Sequence, residues 1–481
     1  MSQNAILIIF YFLIMSKVYV FGIGGTGSRV LRAVTMLLAS GVECKADAIV
    51  PIIIDPDDAA GDVERTVELM KKYGEIRSKL NFDSKKKNQF FKTDIQETMT
   101  NFRLPLSNTK DVTFDEYMGV SDMSRENKAL VNMLFSQKNL ASEMTIGFKG
   151  NPNVGSVVLN QFDDSDAFLN FTNEFTEQDK IFIISSIFGG TGASGFPLLL
   201  KTLRTSEDIA NKKYVHNAHI GAITVLPYFQ VKQDENSQID SATFVSKAKS
   251  ALAYYDRAIS KNNAIDTLYY IADDVRTTYE NCEGGTNQIN SAHFIELISA
   301  LALIDFADAQ QPAKAVHKEF GIEMDTNEII FENLGKISKR DLRKAMTQFL
   351  LFAKYLNEND NFLAMPWAKD RKLDRTFFDS DFIRTLEKVQ REYLRWLAEM
   401  ASQQRAFTPF ILHKNKDKVF DLIKGITPKR IWGTLDSNYD LFNNRLNGQG
   451  GESKSGGKEQ QLVELFYLAT QQLVKDKYTI E

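Results

Sequence analysis

Two glycine-rich turns, each between an apolar run and a helical pattern, constrain the fold of this 481-residue chain most. The first is FGIGGTGSR at 21–29, and the second is FGGTGASG at 188–195. The apolar runs before the turns are typical of strands that are buried on both faces of a parallel sheet. Because further strands and helices alternate between them and up to residue 310, the sequence predicts an α/β fold with a Rossmann-like parallel sheet.

The same patterns predict the individual elements. Strands are expected at 17–25, 48–58, 180–187, 218–229 and 266–274, and helices at 28–41, 59–80, 194–206, 241–260 and 287–310. After about residue 330 the pattern turns helical, at 337–359, 380–404 and 458–476. We therefore expect a nucleotide-binding domain over 15–286, a central helix over 287–310, an α+β domain over 311–446, a flexible loop over 447–458 and a C-terminal helix over 459–481.

The first 14 residues are expected to be an extension or a misassigned start. The apolar stretch at 5–14 is shorter than the roughly 20 residues that span a bilayer, and Met15 precedes the first predicted strand. The sequence therefore predicts no stable membrane insertion and translation that begins at Met15.

Charge and cysteine content exclude several classes of function. The net charge of −4 offers no broad basic surface, so we expect no nucleic-acid partner. Cys44 and Cys282 have no metal-ligand spacing, and the five histidines show none either, so no metal site in the protein is predicted. Two isolated cysteines fit a reducing, cytoplasmic location.

The first turn has the features of a phosphate site. Glycines allow the backbone to approach a ligand closely, and the N-terminus of the following helix favours an anion. The predicted contacts on this turn are Gly22, Gly24, Gly25, Thr26, Gly27 and Ser28. The next predicted strand ends in Asp55 and Asp57, where ligands of such sheets bind.

The second turn suggests a triphosphate. In one parallel sheet both turns lie at the carboxyl edge of the strands, so they would hold different phosphates of the same ligand. Neither turn carries the lysine of a P-loop, so backbone N–H groups, hydroxyls and Mg²⁺ are expected to neutralise the charge. The predicted contacts on this turn are Gly189, Gly190, Thr191, Gly192, Ala193 and Ser194.

At this point the sequence resembles a known family. IISSIFGGTGASGFPLLLKTL (183–203) resembles the signature of the tubulin/FtsZ superfamily, and FGIGGTGSRV resembles the opening glycine motif of FtsZ. IIIDPDD, AITVLPYF, AIDTLYYIADD and TNQINSAHFIELISALALI follow in the family's order. The divergent C-terminal half is similar to that of divergent prokaryotic tubulin-like proteins.

The resemblance implies a function and further site residues. It implies binding of GTP or GDP, self-association head to tail into filaments, and a helical C-terminal region open to a protein partner. By the same resemblance Asp273 or Asp274, together with Asn287 or the better-aligned Asn290, would contact the base. Asp305 and Asp308 would be the catalytic acids that act on the nucleotide of the next subunit.

This sequence departs from the family at two of these motifs. Ala193 intervenes between GGTG and Ser194, and Leu303 stands where the family's catalytic loop has asparagine. Asp305 and Asp308 also fit the polar side of a helix end, so GTP hydrolysis stays an open possibility.

Three alternatives remain at this stage. The first turn with the downstream Arg65 also resembles the ATP site of adenylating enzymes of the ThiF/MoeB type. The first turn alone fits an NAD(P)- or FAD-binding oxidoreductase. A scaffold that binds nucleotide without hydrolysing it differs from the leading hypothesis only in turnover.

Overall fold

The computed structural model describes residues 16–479 with several gaps. The described part leaves out 84–86, 164, 235–238, 240, 261–263, 283, 321–325, 359–361, 413–417, 431–438 and 450–455. The predictions for the extension at 1–14 and for half of the flexible loop at 447–458 therefore lie outside the described residues. Among the described residues, no helix combines the length and the apolar character that crossing a bilayer requires.

A seven-stranded parallel sheet forms the centre of the fold. The sequence predicts a parallel sheet and five of its strands, but it does not predict the strands at Asp94–Ile95 and Val316–Phe320. The strand order of the sheet is β3-β2-β1-β4-β5-β7-β9, with every neighbouring pair parallel. Two small two-stranded pairs, β6-β8 and β10-β11, lie outside it. The strands are β1 (Lys17–Ile23), β2 (Ala48–Ile54), β3 (Asp94–Ile95), β4 (Lys180–Ser186), β5 (His219–Val225), β6 (Phe229–Val231), β7 (Thr267–Ile271), β8 (Thr277–Tyr279), β9 (Val316–Phe320), β10 (Glu328–Ile329) and β11 (Ala406–Phe407).

Seventeen α-helices are assigned within the described residues. Those up to residue 310 are α1 (Gly24–Ala39), α2 (Gly61–Arg77), α3 (Phe114–Tyr117), α4 (Arg125–Leu134), α5 (Gln137–Leu140), α6 (Pro152–Val158), α7 (Asp166–Glu174), α8 (Gly190–Thr205), α9 (Lys212–His216), α10 (Phe244–Tyr255) and α11 (Phe294–Asp308). The later ones are α12 (Lys336–Glu358), α13 (Pro366–Lys369), α14 (Arg375–Phe378), α15 (Asp381–Ala401), α16 (Tyr439–Gly448) and α17 (Lys458–Lys477).

Three helix starts differ from the sequence-based expectation. The helices after the two glycine turns begin at Gly24 and Gly190, not at 28 and 194, so the glycines form the first helical turn themselves. The central helix begins at Phe294 and not at 287, because the His293 side chain accepts the N–H of Ile295 and caps it. The unpaired N–H groups of α1 and α8 therefore belong to the glycine turns.

Helices cover both faces of the sheet. Phe21 of β1 packs edge-to-face on Phe171 of α7, with ring centroids 5.3 Å apart. On the other face Phe182 of β4 packs on Phe306 of α11 at 4.9 Å. Twelve of the fifteen residues of α11 are buried, as an apolar helix between the sheet and other helices requires.

The C-terminal helices form a second apolar layer. Phe352 of α12 stacks on Phe466 of α17, with ring centroids 4.5 Å apart, and Trp396 of α15 is 1 % exposed. Helix α15 packs on α2. The helical half of the chain is thereby fixed directly to the helix that follows β2.

The substitution Gly221→Ala in β5 tests the packing of α11 on the sheet. A Cβ at this position would lie 2.5 Å from the Phe306 ring and 2.8 Å from the Phe182 ring, both buried. Because neither ring has room to move, we expect Gly221→Ala to destabilise the protein by about 1–3 kcal/mol. Thermal and urea unfolding measure the loss.

Gly74→Ala is the matched control. Gly74 lies inside α2 and has no atom within 4 Å of its hypothetical Cβ, so alanine should stabilise by roughly 0.4–1 kcal/mol. Equal unfolding midpoints for Gly221→Ala and the wild type would contradict the packing described above.

Candidate nucleotide site

Both glycine turns line one cavity. Gly24, Gly25 and Thr26 form one wall of it, and 189–192 form another. The turns meet because β1 and β4 are neighbours, with Gly22 level with Ile184, and each turn directly follows its strand. The carboxyl edge between two strands where the chain order reverses is where open α/β sheets bind ligands.

Individual glycines are required by close backbone approach. A Cβ at Gly27 would lie 2.4 Å from the carbonyl carbon of Gly22, so these two glycines let α1 start tightly against β1. A Cβ at Gly192 would lie 2.5 Å from the Ser186 carbonyl oxygen. Gly22 and Gly27 therefore shape the turn from behind, and neither lines the cavity.

A third loop lines the cavity beside the second turn. Gly147, Phe148, Lys149 and Gly150 line the cavity. The loop packs tightly on the second turn, since a Cβ at Gly190 would lie 3.0 Å from the backbone nitrogen of Asn151. Lys149 has a φ of 45°, in the left-handed region, which the flanking glycines with φ of 82° and 75° accommodate. This loop brings a lysine to the cavity that neither glycine turn contains.

Two carboxylates stand at the end of β2. Asp57 is 4 % exposed and accepts the backbone N–H groups of Ala59 and Gly285, at 3.1 and 2.6 Å. Asp55 accepts the N–H of Asp57 at 3.1 Å. Burial of Asp55 raises its pKa to about 7, with the neighbouring Asp57 adding to the rise. Asp55 therefore changes charge near neutral pH inside the cavity.

A buried ionic cluster lies beneath the first turn. The Arg29 guanidinium lines the cavity and donates to Glu296 at 2.7 Å, to Asp62 at 3.2 Å and to the Tyr228 hydroxyl at 2.9 Å. Burial alone would lower the Arg29 pKa, but Tyr228, Glu296 and Asp62 hold it well above its usual value. Arg29 is therefore a fixed positive charge at the floor of the cavity.

Ten of the predicted binding residues come together in the cavity. They are Gly24, Gly25, Thr26, Asp55, Asp57, Gly189, Gly190, Thr191, Gly192 and Asn290. Two predicted hydroxyls point elsewhere: Ser28 donates to the Gly24 carbonyl at 3.3 Å, and Ser194 donates to the Gly190 carbonyl at 2.7 Å. Ala193 and Ser194 line a different cavity, behind the turn.

The structure does not bring Asp273 or Asp274 to this cavity. Asp273 is 7 % exposed and forms an ion pair with Arg405, beside Phe294 and Glu319 in a separate cavity. Asp274 pairs with Arg276 at 2.7 Å on the surface. A carboxylate next to a cation of its own chain is held by that cation, so β7 offers no free acid to the glycine turns.

Asp305 and Asp308 lie at the opposite edge of the sheet. They sit in the last turn of α11 and not in a loop after it. Asp308 accepts the backbone N–H of Lys45 at 3.1 Å, just before β2 begins, and Asp305 accepts from Tyr269 at 2.7 Å and Lys318 at 2.6 Å. Neither acid reaches the cavity of its own chain.

Sequence reasoning missed several residues of the cavity. Arg29 directly follows the first glycine motif, and Lys149 sits between the glycines of GFKGNP (147–152), where Pro152 opens α6. A glycine pair followed by Asn-Pro at a helix start was a readable signal for this loop. The aromatic wall of Phe188, Phe229 and Tyr279 carried no signal, because its members lie far apart in the chain.

The Asp55 carboxyl generates a pH prediction. Its folded pKa of about 7 lies above the unfolded value of about 3.9, so the folded state holds its proton more tightly. The stability it contributes is present below about pH 4 and is lost as the pH rises through 7. Asp55→Asn keeps the acceptor for the Asp57 N–H and removes the charge.

We therefore expect the stability difference between Asp55→Asn and the wild type to grow in favour of the variant between pH 5 and pH 8. The growth should be roughly 1–3 kcal/mol. Urea unfolding of the nucleotide-free protein at both pH values measures it. A difference that stays constant with pH would show that Asp55 is already ionised at pH 5.

Comparisons with known proteins give structural neighbours only. No protein-family model matches the chain, and no curated protein does. It is similar to CetZ2 of Haloferax volcanii, solved as a GTPγS-bound protofilament, at 14 % identity, with a TM-score of 0.30, covering 62 % of this chain and 60 % of that one.

Two further solved structures are similar to a comparable extent. CetZ1 of Haloferax volcanii, a GDP-bound monomer, has 15 % identity and a TM-score of 0.31, covering 61 % of each chain. TubZ of Bacillus thuringiensis serovar israelensis, a GTPγS-form protofilament, has 11 % identity and a TM-score of 0.26, covering 60 % of this chain and 54 % of that one. This chain thus spans about three fifths or less of the lengths of these solved structures.

Proposed function

We propose that this protein binds GTP in the cavity between its two glycine turns and assembles head to tail into filaments. The observation that carries the proposal is that Gly24–Thr26 and 189–192 line one cavity at the carboxyl edge of neighbouring strands. The family resemblance of both turns, quoted above from the sequence, supplies the choice of nucleotide.

The cavity has the chemistry of a polyphosphate site. Helices α1 and α8 both begin at it, so two sets of unpaired backbone N–H groups and two positive dipole ends act on the same ligand. Lys149 of the third loop adds a cation, whereas Arg29 is already paired with Asp62 and Glu296. This arrangement replaces the single lysine of a P-loop with charge from three segments of the chain.

The shape of the cavity suggests how a nucleotide lies in it. The enclosed volume is about 170 Å³, below the roughly 300–1,000 Å³ of sites that enclose a whole small molecule. The phosphates would occupy the enclosed part, and the base would lie at the open mouth, against Phe229 and Tyr279, whose ring centroids are 5.1 Å apart. Asn290 is the predicted base contact that lines this cavity.

The residues present also fit a magnesium ion bound with the phosphates. Mg²⁺ in nucleotide sites takes one or two carboxylates besides phosphate and water oxygens. Asp55 and Asp57 are the carboxylates at the end of β2, and both line the cavity. Mg²⁺ there would neutralise phosphate charge and favour the ionised form of Asp55.

The positions of Asp305 and Asp308 support head-to-tail assembly. Asp305 and Asp308 stand at the amino edge of the sheet, and the cavity stands at the carboxyl edge. They would reach a triphosphate only if a second copy stacked on the first along the strand direction. In that arrangement their carboxylates would orient the attacking water, which makes hydrolysis a property of the filament.

The adenylating-enzyme alternative requires Arg65 at the nucleotide, and Arg65 lies outside the cavity. Arg65 donates to Glu399 at 2.7 Å and does not line the cavity. The oxidoreductase alternative leaves the second glycine turn without a role, although that turn lines the same cavity as the first. A measurement of GTP turnover distinguishes a GTP-hydrolysing filament protein from a scaffold that binds GTP without hydrolysing it.

Lys149→Ala tests the binding site. Loss of a charge-assisted contact to phosphate costs about 1.5–3 kcal/mol, so we expect the Kd for fluorescent GTP to rise about tenfold or more. Lys110→Ala is the control, because Lys110 is 77 % exposed and pairs with Asp58 outside the cavity. Equal GTP affinity in Lys149→Ala and the wild type would show that Lys149 of the third loop does not contribute to GTP binding.

Sedimentation tests assembly. We expect pelleting with GTP, less with GDP, and little with ATP, since the proposed site is for guanine nucleotide in the triphosphate form. Equal pelleting under all three conditions would count against nucleotide-driven assembly.

A mixing experiment tests catalysis between subunits. Asp308→Asn should keep GTP binding and lose phosphate release, while Lys149→Ala should bind GTP weakly but keep its acids. In a mixed filament, a Lys149→Ala subunit would supply the catalytic acids to the GTP bound by a neighbouring Asp308→Asn subunit. Phosphate release should therefore recover in part. Asp379→Asn is the control, because the Asp379 side chain is 70 % exposed and lies directly after α14. Unchanged turnover in both Asp305→Asn and Asp308→Asn would exclude these residues as the catalytic acids.

A further inference from the structure

A second cavity lies behind the second glycine turn, on the side away from the proposed nucleotide. Its volume is about 920 Å³, and it is bounded by α6, α8 and α10. Ala193 and Ser194 of the turn form part of its wall, followed along α8 by Pro197 and Leu198. Nothing in the proposed GTP site uses this space.

The lining is apolar with hydroxyl groups and has one sign of charge. Leucine, isoleucine, alanine, proline and tyrosine side chains predominate, and the charged residues are Lys201, Arg204 and Lys247. Among the described residues that line the cavity there is no aspartate or glutamate. Such a surface favours an anion that carries an apolar body.

The three cations differ in their availability. Arg204 is neutralised by Asp266 at 3.0 Å and also donates to the carbonyls of Ala264 and His216. Lys247 donates to the Gly150 carbonyl at 2.8 Å. Lys201 has no carboxylate within 4.0 Å in the described part of the chain, so its charge is open to a ligand.

A buried polar atom in the wall is unsatisfied. Tyr255 is 1 % exposed and lines the cavity, and its hydroxyl has no hydrogen-bond partner within the described residues. Because the hydroxyl oxygen is itself enclosed by protein, Tyr255 contributes its ring to the apolar wall. Lys201 is therefore the polar group that the site offers to an amphiphile.

We propose that this cavity binds an anionic amphiphile, with the chemistry of a long-chain fatty acid. The acyl chain would lie between α8 and α10 against Leu198, Ala251 and Ile259, and the carboxylate would lie at Lys201. The volume is within the range of natural small-molecule sites, and a single acyl chain is an apolar body of the required elongated form. This inference does not depend on GTP binding.

Occupancy would act on the neighbouring site through shared elements. Ser194 lines the amphiphile cavity and hydrogen-bonds Gly190 of the second glycine turn. Lys247 lines it as well and holds Gly150 of the third loop. A ligand that displaces α10 therefore acts on the third loop through Lys247, and one that displaces α8 acts on the second glycine turn through Ser194.

Titration of the full chain with oleate and with oleyl alcohol tests the proposal. Displacement of a fluorescent polyene fatty acid and calorimetry report the Kd. We expect saturable oleate binding below its micelle concentration, and at least about fivefold weaker binding of the alcohol, which lacks the charge. Lys201→Glu should weaken oleate by about fivefold or more and leave oleyl alcohol unchanged.

Two variants complete the design. Lys388→Glu makes the same charge change on the exposed side of α15 and should bind oleate like the wild type. Ala251→Trp fills the cavity and should weaken both ligands, with circular dichroism verifying the fold. Absence of saturable oleate binding by the wild type overturns the proposal, as does wild-type affinity in both Lys201→Glu and Ala251→Trp.

Discussion

The parallel pairing of β1 with β4 is the constraint on which the rest of the molecule depends. It is the point where the chain, having built β2 and β3 on one side, crosses to build β4, β5, β7 and β9 on the other. Because each strand is followed by glycines that form the first turn of a helix, two helix N-termini open on one crevice. This geometry requires glycine at two positions, because a Cβ at Gly27 or Gly192 would overlap backbone atoms at about 2.5 Å.

The floor of the crevice is held by charge and not by apolar packing. Arg29, Asp62 and Glu296 are all at least 95 % buried, and burial raises the pKa of both carboxyls while Arg29 opposes the rise. Buried ions are costly unless each is paired, so removing one partner of this cluster is more damaging than its pairwise distances suggest. Glu399 of α15 extends the cluster by accepting from Arg32 and Arg65 at 2.9 and 2.7 Å. The C-terminal helices thereby contact the back of the proposed nucleotide site.

Sequence alone predicted a parallel sheet with five of its strands, both turns and ten of the residues that line the cavity, because apolar periodicity and glycine spacing are local signals. It did not predict that Ser28 and Ser194 turn back to their own helices, since that choice depends on the glycines starting the helix one turn earlier. The missed residues Lys149 and Arg29 reach the cavity through tertiary packing. Asp273 forms an ion pair with Arg405, which is distant in the chain, and no local sequence pattern predicts that pair.

The structure of the protein with a bound, slowly hydrolysed GTP analogue tests the central claim most directly. The account predicts one analogue whose phosphate oxygens lie within hydrogen-bond distance, about 2.7–3.2 Å, of backbone N–H groups from both 24–28 and 190–193. A triphosphate that contacts one of these segments alone, or binds elsewhere on the chain, would contradict it.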